Sequence, residues 1–144
     1  MNNKVIFFGT PEFAVHSLNE IYKSNFIIQC VVTNPDKKSG RGRKKRMSAV
    51  KQFCIKNNIK TLQPQSFTEN TFISELKLFK ADVFIVVAFK KLPKLVDSLT
   101  NQTYESWRCL LVDGDSNEKH KKWVKSIVKK DQRFININEN KNQR

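Results

Sequence analysis

Apolar residues fall along the first hundred positions in short continuous runs separated by amphipathic stretches, the rhythm of alternating strands and helices. Val5 to Phe8 is an unbroken apolar run bounded by Lys4 and Gly9, as expected of a strand buried on both faces of a parallel sheet. Thr10 then predicts an N-cap, with Pro11 at the first helical position, where its missing N–H costs nothing. Phe13, Ala14, Leu18, Ile21 and Tyr22 recur at helical spacing and predict one buried face, ending at Lys23-Ser24-Asn25. Phe26 to Thr33, rich in β-branched residues, predicts a second strand. A strand, a helix and a strand in one sheet require parallel pairing through a crossover.

The alternation continues. Asn34 to Met47 is polar, contains glycine and is too long for a tight turn, which predicts a surface loop with a task. Ser48 is placed to cap a helix carrying Val50, Phe53, Cys54 and Ile55 inward, and Thr61-Leu62 predicts a short strand ended by Pro64. Phe67 to Lys80 predicts a helix with Phe72, Ile73, Leu76 and Phe79 on one face, and Val83 to Ala88 is the clearest buried strand of the chain. Pro93 to Leu99 predicts a short helix. Beyond Thr100 the pattern weakens to a strand over 107–112, a helix over 119–130 with Trp123, Ile127 and Val128 inward, and a last strand over 134–137 before a polar tail. The whole predicts an α/β, Rossmann-like parallel sheet.

Charge changes this picture. Lys plus Arg number 27 against 13 Asp plus Glu, a net +14 that favours polyanionic partners, nucleic acid ahead of membrane. Between Asp36 and Lys60 stand ten basic residues and one acidic, so the excess is concentrated in one short segment. The composition is also rich in Asn, Lys, Ile and Phe, as AT-rich coding produces, and that bias raises lysine on solvated faces without explaining the Gly40-Arg41-Gly42-Arg43 pattern.

Cys30, Cys54 and Cys109 form no close pair, which suits a reducing cytoplasm better than a disulfide framework, and Cys30 and Cys54 fall in core patterns. His16 and His120 lie far apart, so no metal site is predicted. His16, with no acidic neighbour in sequence, reads as structural. The start runs into a strand without a long apolar leader, and no stretch is long enough to span a bilayer.

Four motifs give the chain a resemblance. Phe8-Gly9-Thr10-Pro11-Glu12-Phe13-Ala14, Asn34-Pro35-Asp36 with Gly40-Arg41-Gly42-Arg43-Lys44-Lys45, Val86-Val87-Ala88-Phe89 and Leu92-Pro93 stand in the order and at the spacing of methionyl-tRNA formyltransferases. Val50-Lys51 and Leu62-Gln63-Pro64 belong to the same set. The resemblance covers about Lys4 to Val96. It implies the formyltransferase type of Rossmann-like sheet, here incomplete, with residues 1–100 as the N-terminal part of that catalytic domain and 101–144 as an unmatched basic tail.

By resemblance, Gly9, Thr10, Val86, Val87, Ala88 and Phe89 border the pocket for the pterin ring of 10-formyltetrahydrofolate, at strand ends where open α/β sheets keep their ligand crevice. Phe89 suits a core position equally well. Also by resemblance, Arg41, Gly42, Arg43, Lys44, Lys45 and Arg46 enter the acceptor stem of the initiator methionyl-tRNA, where cationic side chains between glycines set position without reading sequence. The implied reaction passes the formyl group to the methionyl amine, and it needs an oxyanion stabiliser and a positioned base. The family supplies these with an Asn-x-His pair opening Asn-x-His-x-Ser-Leu-Leu-Pro, and a later Asp.

Between Thr100 and Arg144 none of this occurs: no Asn-x-His, no Ser-Leu-Leu-Pro and no Arg-Gly. Asn117-Glu118-Lys119-His120 has the wrong spacing, and Asp113 and Asp115, flanking Gly114, read as a turn. No catalytic residue is therefore assigned, and the chain is expected to be a cytoplasmic, monomeric member of the family, inactive alone. Two alternatives stand beside it: a non-catalytic tRNA- or RNA-binding remnant, and a different one-carbon or nucleotide-dependent enzyme on the same sheet.

Overall fold

A computed structural model of the chain describes residues 3–87, 91–112 and 117–137. Six parallel strands form one sheet in the order β5-β2-β1-β6-β7-β8: β1 (Lys4–Phe8), β2 (Ile27–Val32), β5 (Thr61–Leu62), β6 (Val83–Val87), β7 (Arg108–Val112) and β8 (Phe134–Asn136). The strands are joined through helices α1 (Ala14–Lys23), α2 (Ala49–Lys56), α3 (Asn70–Leu78), α4 (Leu92–Thr100) and α5 (Glu118–Lys130). The chain builds outward from β1 in one direction through β2 and β5, then returns to place β6 on its other edge. The order of strands therefore reverses between β1 and β6, the point where such sheets hold ligands.

Strand alternation divides the interior in two. Ile6 and Phe8 face one core with Phe84, Val86, Phe72, Leu76, Leu95, Val124, Phe134 and, just before β7, Trp107, so that α3, α4 and α5 cover this face of the sheet. Val5 and Phe7 face the other, against Ala14, Leu18, Val50 and Cys54 of α1 and α2. Val5, Ile6, Phe7 and Phe8 are wholly buried, which explains the absence of polar positions in that run. Burial pushes the Cys30 thiol up to about 12 and raises Cys54 and Cys109 as well, so all three behave as small apolar residues.

Several local expectations shift. The first helix begins at Ala14, not at Pro11, because Thr10 does not cap it. The Thr10 hydroxyl oxygen instead accepts from the Asn34 N–H at 3.0 Å and from the Thr33 hydroxyl at 3.1 Å, tying β1 to the end of β2. Pro11 to Phe13 form a tight turn, with Ala14 N–H donating to the Pro11 carbonyl at 3.0 Å, and Phe13 is 46% exposed. Tyr22 is half exposed because its ring stands edge-on to Phe53 at 5.9 Å, and Ile55 is exposed because Val50 and Cys54, four apart, already occupy the inward stripe of α2. Helix α3 starts at Asn70 rather than Phe67, whose carbonyl accepts from the buried Ser98 hydroxyl at 2.8 Å while its ring packs against Phe72.

Ser48 does cap α2, accepting from Lys51 N–H at 3.1 Å, and the predicted strands over Val83–Ala88, 107–112 and 134–137 are present, with Ala88 outside the described residues. The polar tail after Ile137 and the Asp113-Gly114-Asp115 turn also lie outside them. Among the described residues no helix is long and apolar enough to cross a membrane, and no group of His, Cys, Asp or Glu could hold a metal ion.

Gly9 is the tightest point of the framework. A Cβ there would stand 2.8 Å from the Phe7 ring and 3.0 Å from Ala14 Cβ, while its N–H is committed to the Val32 carbonyl at 3.1 Å. Gly9→Ala is expected to destabilise the fold by about 1–3 kcal/mol through overpacking, read as a lower denaturation midpoint at unchanged slope.

Candidate nucleic-acid interface

The basic segment, expected as a surface loop, forms a two-stranded antiparallel hairpin, β3 (Lys37–Ser39) with β4 (Lys44–Arg46). Glycine makes the reversal possible: Gly40 and Gly42 have φ of +77° and +99°, and Arg43 follows in the left-handed region at +49°. The Arg43 N–H closes the turn on the Gly40 carbonyl at 3.3 Å. A Cβ on either glycine would meet nothing within 4 Å, so the requirement is conformational rather than steric.

Every residue from Lys37 to Met47 is exposed. Lys37 lies directly opposite Arg46, and Lys38 directly opposite Lys45. Like charges facing across an antiparallel pair repel, so the hairpin concentrates seven cations on a backbone that holds them against their mutual repulsion. A polyanion laid along it would relieve that repulsion.

What fastens the hairpin is a set of contacts at its base. Asp36 Oδ2 receives Lys51 Nζ at 2.6 Å, and Asp36 Oδ1 accepts from Gln63 Nε2 at 2.9 Å. The same Gln63 nitrogen donates to the Asn34 carbonyl at 2.9 Å. The hydrogen bond from Lys51, then that from Gln63, hold the Asp36 carboxyl below its ordinary range, against a weaker opposing effect of desolvation. Sequence reasoning missed this role, although one carboxylate among ten cations was a signal that it must be paired. Lys37, Lys38 and Asn34 were likewise unassigned.

The expected site residues separate into two places. Gly9 and Val87 lie at the carboxyl ends of adjacent strands, since Phe8 is in register with Val86. Val86 and Val87 point into the two cores and are almost fully buried, so they can border a ligand only through main chain. Ala88 and Phe89 lie outside the described residues. Thr10 instead lines a cleft of about 530 Å3 on the other side of β1, together with Asn34, Lys37, Arg46, Met47, Ser48 and Gln52. Of the six expected tRNA-contacting residues, Arg46 lies in this cleft, and Arg41, Gly42, Arg43, Lys44 and Lys45 extend beyond it. His16 is exposed on α1.

Fold and sequence together define the class. The formyl transferase family model matches residues 2–103, more than two thirds of the chain, and the chain belongs to that family. Within it, the chain is 46% identical over 98 residues to the methionyl-tRNA formyltransferase of Flavobacterium johnsoniae, covering 68% of this chain and 31% of that protein. It is 49% identical over 94 residues to the methionyl-tRNA formyltransferase of Fusobacterium nucleatum (65% and 30%), and 43% over 106 residues to that of Prochlorococcus marinus (72% and 32%). The chain thus spans just under a third of the length of these relatives.

A second family model, glycosyl transferase family 2, matches residues 83–144. The two matches overlap over 83–103, which is strand β6, helix α4 and the links between and after them. Strand β7, helix α5 and strand β8 fall in the second match alone. The sequence pattern showed their strand-helix-strand order but held no motif that named a counterpart.

Asp36→Asn is expected to speed amide exchange across residues 37–46 without unfolding the sheet. Because the native carboxyl titrates below its unfolded value of about 3.9, its contribution is present above that pH and is lost only as pH falls through the depressed native value. Hairpin protection in the native chain should therefore persist to about pH 4 and fail below it, whereas the variant shows no such step.

Proposed function

We propose that this chain is the tRNA-facing part of a methionyl-tRNA formyltransferase, working in the cytoplasm as a monomer. Arg41, Gly42, Arg43, Lys44, Lys45 and Arg46 hold acceptor-stem phosphates of the initiator methionyl-tRNA, with arginine forks and lysine charges set by the positive-φ turn. The observation that carries this reading is the exposed hairpin with like charges directly opposite one another. Gly9, Val86, Val87, Ala88 and Phe89 border the site of 10-formyltetrahydrofolate, which supplies the formyl carbon when bound, while Thr10 reaches that site only through main chain, its side chain lining the cleft beside the hairpin. A pterin ring carries amide- and amine-like donors and acceptors, and strand-end main chain of the kind left by the buried Val86 and Val87 suits it.

Catalysis is a separate matter. Strand β7, the next strand after β6, reads Arg108-Cys109-Leu110-Leu111-Val112 and contains no Asn or His. No residue there can stabilise an oxyanion or take the proton of the attacking amine in the way the family's Asn-x-His pair does. These residues alone therefore bind without turning over, and the reading of the chain as a non-catalytic tRNA-binding remnant is favoured by the same strand.

Two measurements test this. Incubated with methionyl-tRNA and 10-formyltetrahydrofolate, the chain should form no formyl-methionyl-tRNA above background, and turnover at the rate of a full-length relative would contradict the account. Binding to the same tRNA should weaken linearly with log salt, and Arg41→Ala with Arg43→Ala should reduce that slope by about 2, one per lost phosphate contact. An unchanged slope would remove the hairpin from the interface.

A further inference from the structure

We propose that the half of the sheet formed by β6, β7 and β8 docks one amphipathic α-helix of a partner polypeptide on the face that α1 and α2 leave open, the basic last turn of that helix seated in a cleft at the amino ends of these strands. The inference does not use the tRNA reading, because the hairpin stands at the opposite, carboxyl ends.

The helices are divided unequally between the two faces. Helices α3, α4 and α5 all pack into the core around Ile6 and Phe8 and cover that face as far as β8. Among the described residues the other face receives α1 and α2 alone, which connect β1 to β2 and β2 to β5. Cover therefore fades outward from β6. Ile85, Leu110 and Ile135 stand in register across the three strands, and Ile85 is 8% exposed while Leu110 and Ile135 are half-buried. Toward the carboxyl ends Val87 is buried, Val112 half-buried and Ile137 exposed. Parallel strands are ordinarily covered on both faces, so an apolar strip open to water on one side is incomplete as it stands.

The strip has the size of a helix. Three strands about 4.8 Å apart span about 10 Å, a helix diameter, and five residues at about 3.3 Å each run about 17 Å, three helical turns. A second copy of this chain fits less well. Two strips of about 170 Å2 fall far short of the roughly 1,200 Å2 that a stable protein pair buries, and a net charge of +14 repels its own copy.

The cleft adds direction and chemistry. It encloses about 610 Å3 and is lined by Asp82, Val83, Glu105, Arg108 and Gln132, among others. Arg108 alternates with the buried Cys109, so it lies on the open face, where it is exposed. Arg108, Asp82 and Glu105 have no ion-pair partner among the described residues. Asp82 is held in place, its N–H donating to the Lys4 carbonyl and its carbonyl accepting from Arg108 N–H, both at 3.0 Å. A helix packed over parallel strands as a crossover runs antiparallel to them, which brings its C-terminal end to this cleft. That end carries unpaired carbonyls and about half a negative charge, for which Arg108 and Gln132 are donors. It also favours Lys or Arg in its last turn, for which Asp82 and Glu105 are acceptors.

The chain leaves β8 at the carboxyl ends, where such a helix begins, so a probe helix can be appended after Arg144 through a flexible linker that holds it at millimolar effective concentration. Two fusions of the full chain are compared. One carries a helix of about 14 residues with leucines at i, i+3, i+4 and i+7 and lysines in the last turn, and the other carries the same residues reordered to abolish the stripe. The striped helix should raise the thermal midpoint by about 4 °C or more over the reordered one, and should shift the amides of Leu110, Val112 and Ile135 in NMR spectra. Ile135→Glu, whose own spectrum reports its folding, should erase the difference in midpoint, and Arg108→Gln should reduce it. Equal midpoints of the two fusions would overturn the proposal, as would amide shifts confined to other surfaces. A native chain that sediments as a dimer, and as a monomer once Ile135→Glu is introduced, would assign the face to a second copy and overturn it as well.

Discussion

The structure depends on β1 being buried on both faces and paired on both edges. A run of Val5, Ile6, Phe7 and Phe8 with no solvent exposure can be satisfied only by parallel neighbours and helices above and below. Once β2 takes one edge, β6 must take the other, and the reversal of strand order follows. The carboxyl ends of β1, β2 and β6 are thereby brought to one side of the molecule. Gly9 belongs to this constraint, because a chain turning so sharply off β1 against Phe7 and Ala14 has no room for a side chain.

The hairpin obeys a different balance. None of its residues is buried, and its paired cations oppose its formation. It is kept by two positive-φ glycines at its tip and by one anion at its base, Asp36, clasped by Lys51 of α2 and by Gln63, the residue after β5. A charged surface of this kind is costly to maintain as a free structure and gains stability when its repulsion is neutralised. That asymmetry is the physical ground for reading it as an interface with a polyanion rather than a solvated decoration.

Much of the fold was legible because it rests on continuous apolar runs. Val5–Phe8 and Val83–Val87 announced buried strands, and Ser48 announced the start of α2 through its capping chemistry. Two of the misread helix starts involve groups whose partners are distant in sequence. Thr10 resembles a cap locally, but its oxygen is claimed by Thr33 and Asn34. Phe67 resembles the start of a helix, but its carbonyl is claimed by Ser98. At the candidate site, the tip arginines were visible from their glycine spacing, whereas Asp36, Lys51 and Gln63 entered only as parts of motifs, and that the three are partners shows only in the fold. The overlap of two family matches on β6 and α4 has a related cause. A buried parallel strand of Val, Phe and Ile followed by an amphipathic helix is common ground for α/β proteins, and its burial demands are the same whichever sheet it joins. Residues 104–144 then extend the sheet through β7 and β8 without carrying the chemistry expected beside β6.

The central claim is that the cationic hairpin is the surface that meets tRNA. Hydrogen–deuterium exchange of the full chain, with and without methionyl-tRNA at low salt, tests it most directly. The account predicts slowed exchange over residues 37–46, reversed when salt is raised. Protection confined to other segments, such as the lysine-rich face of α5, with residues 37–46 unchanged, would contradict it.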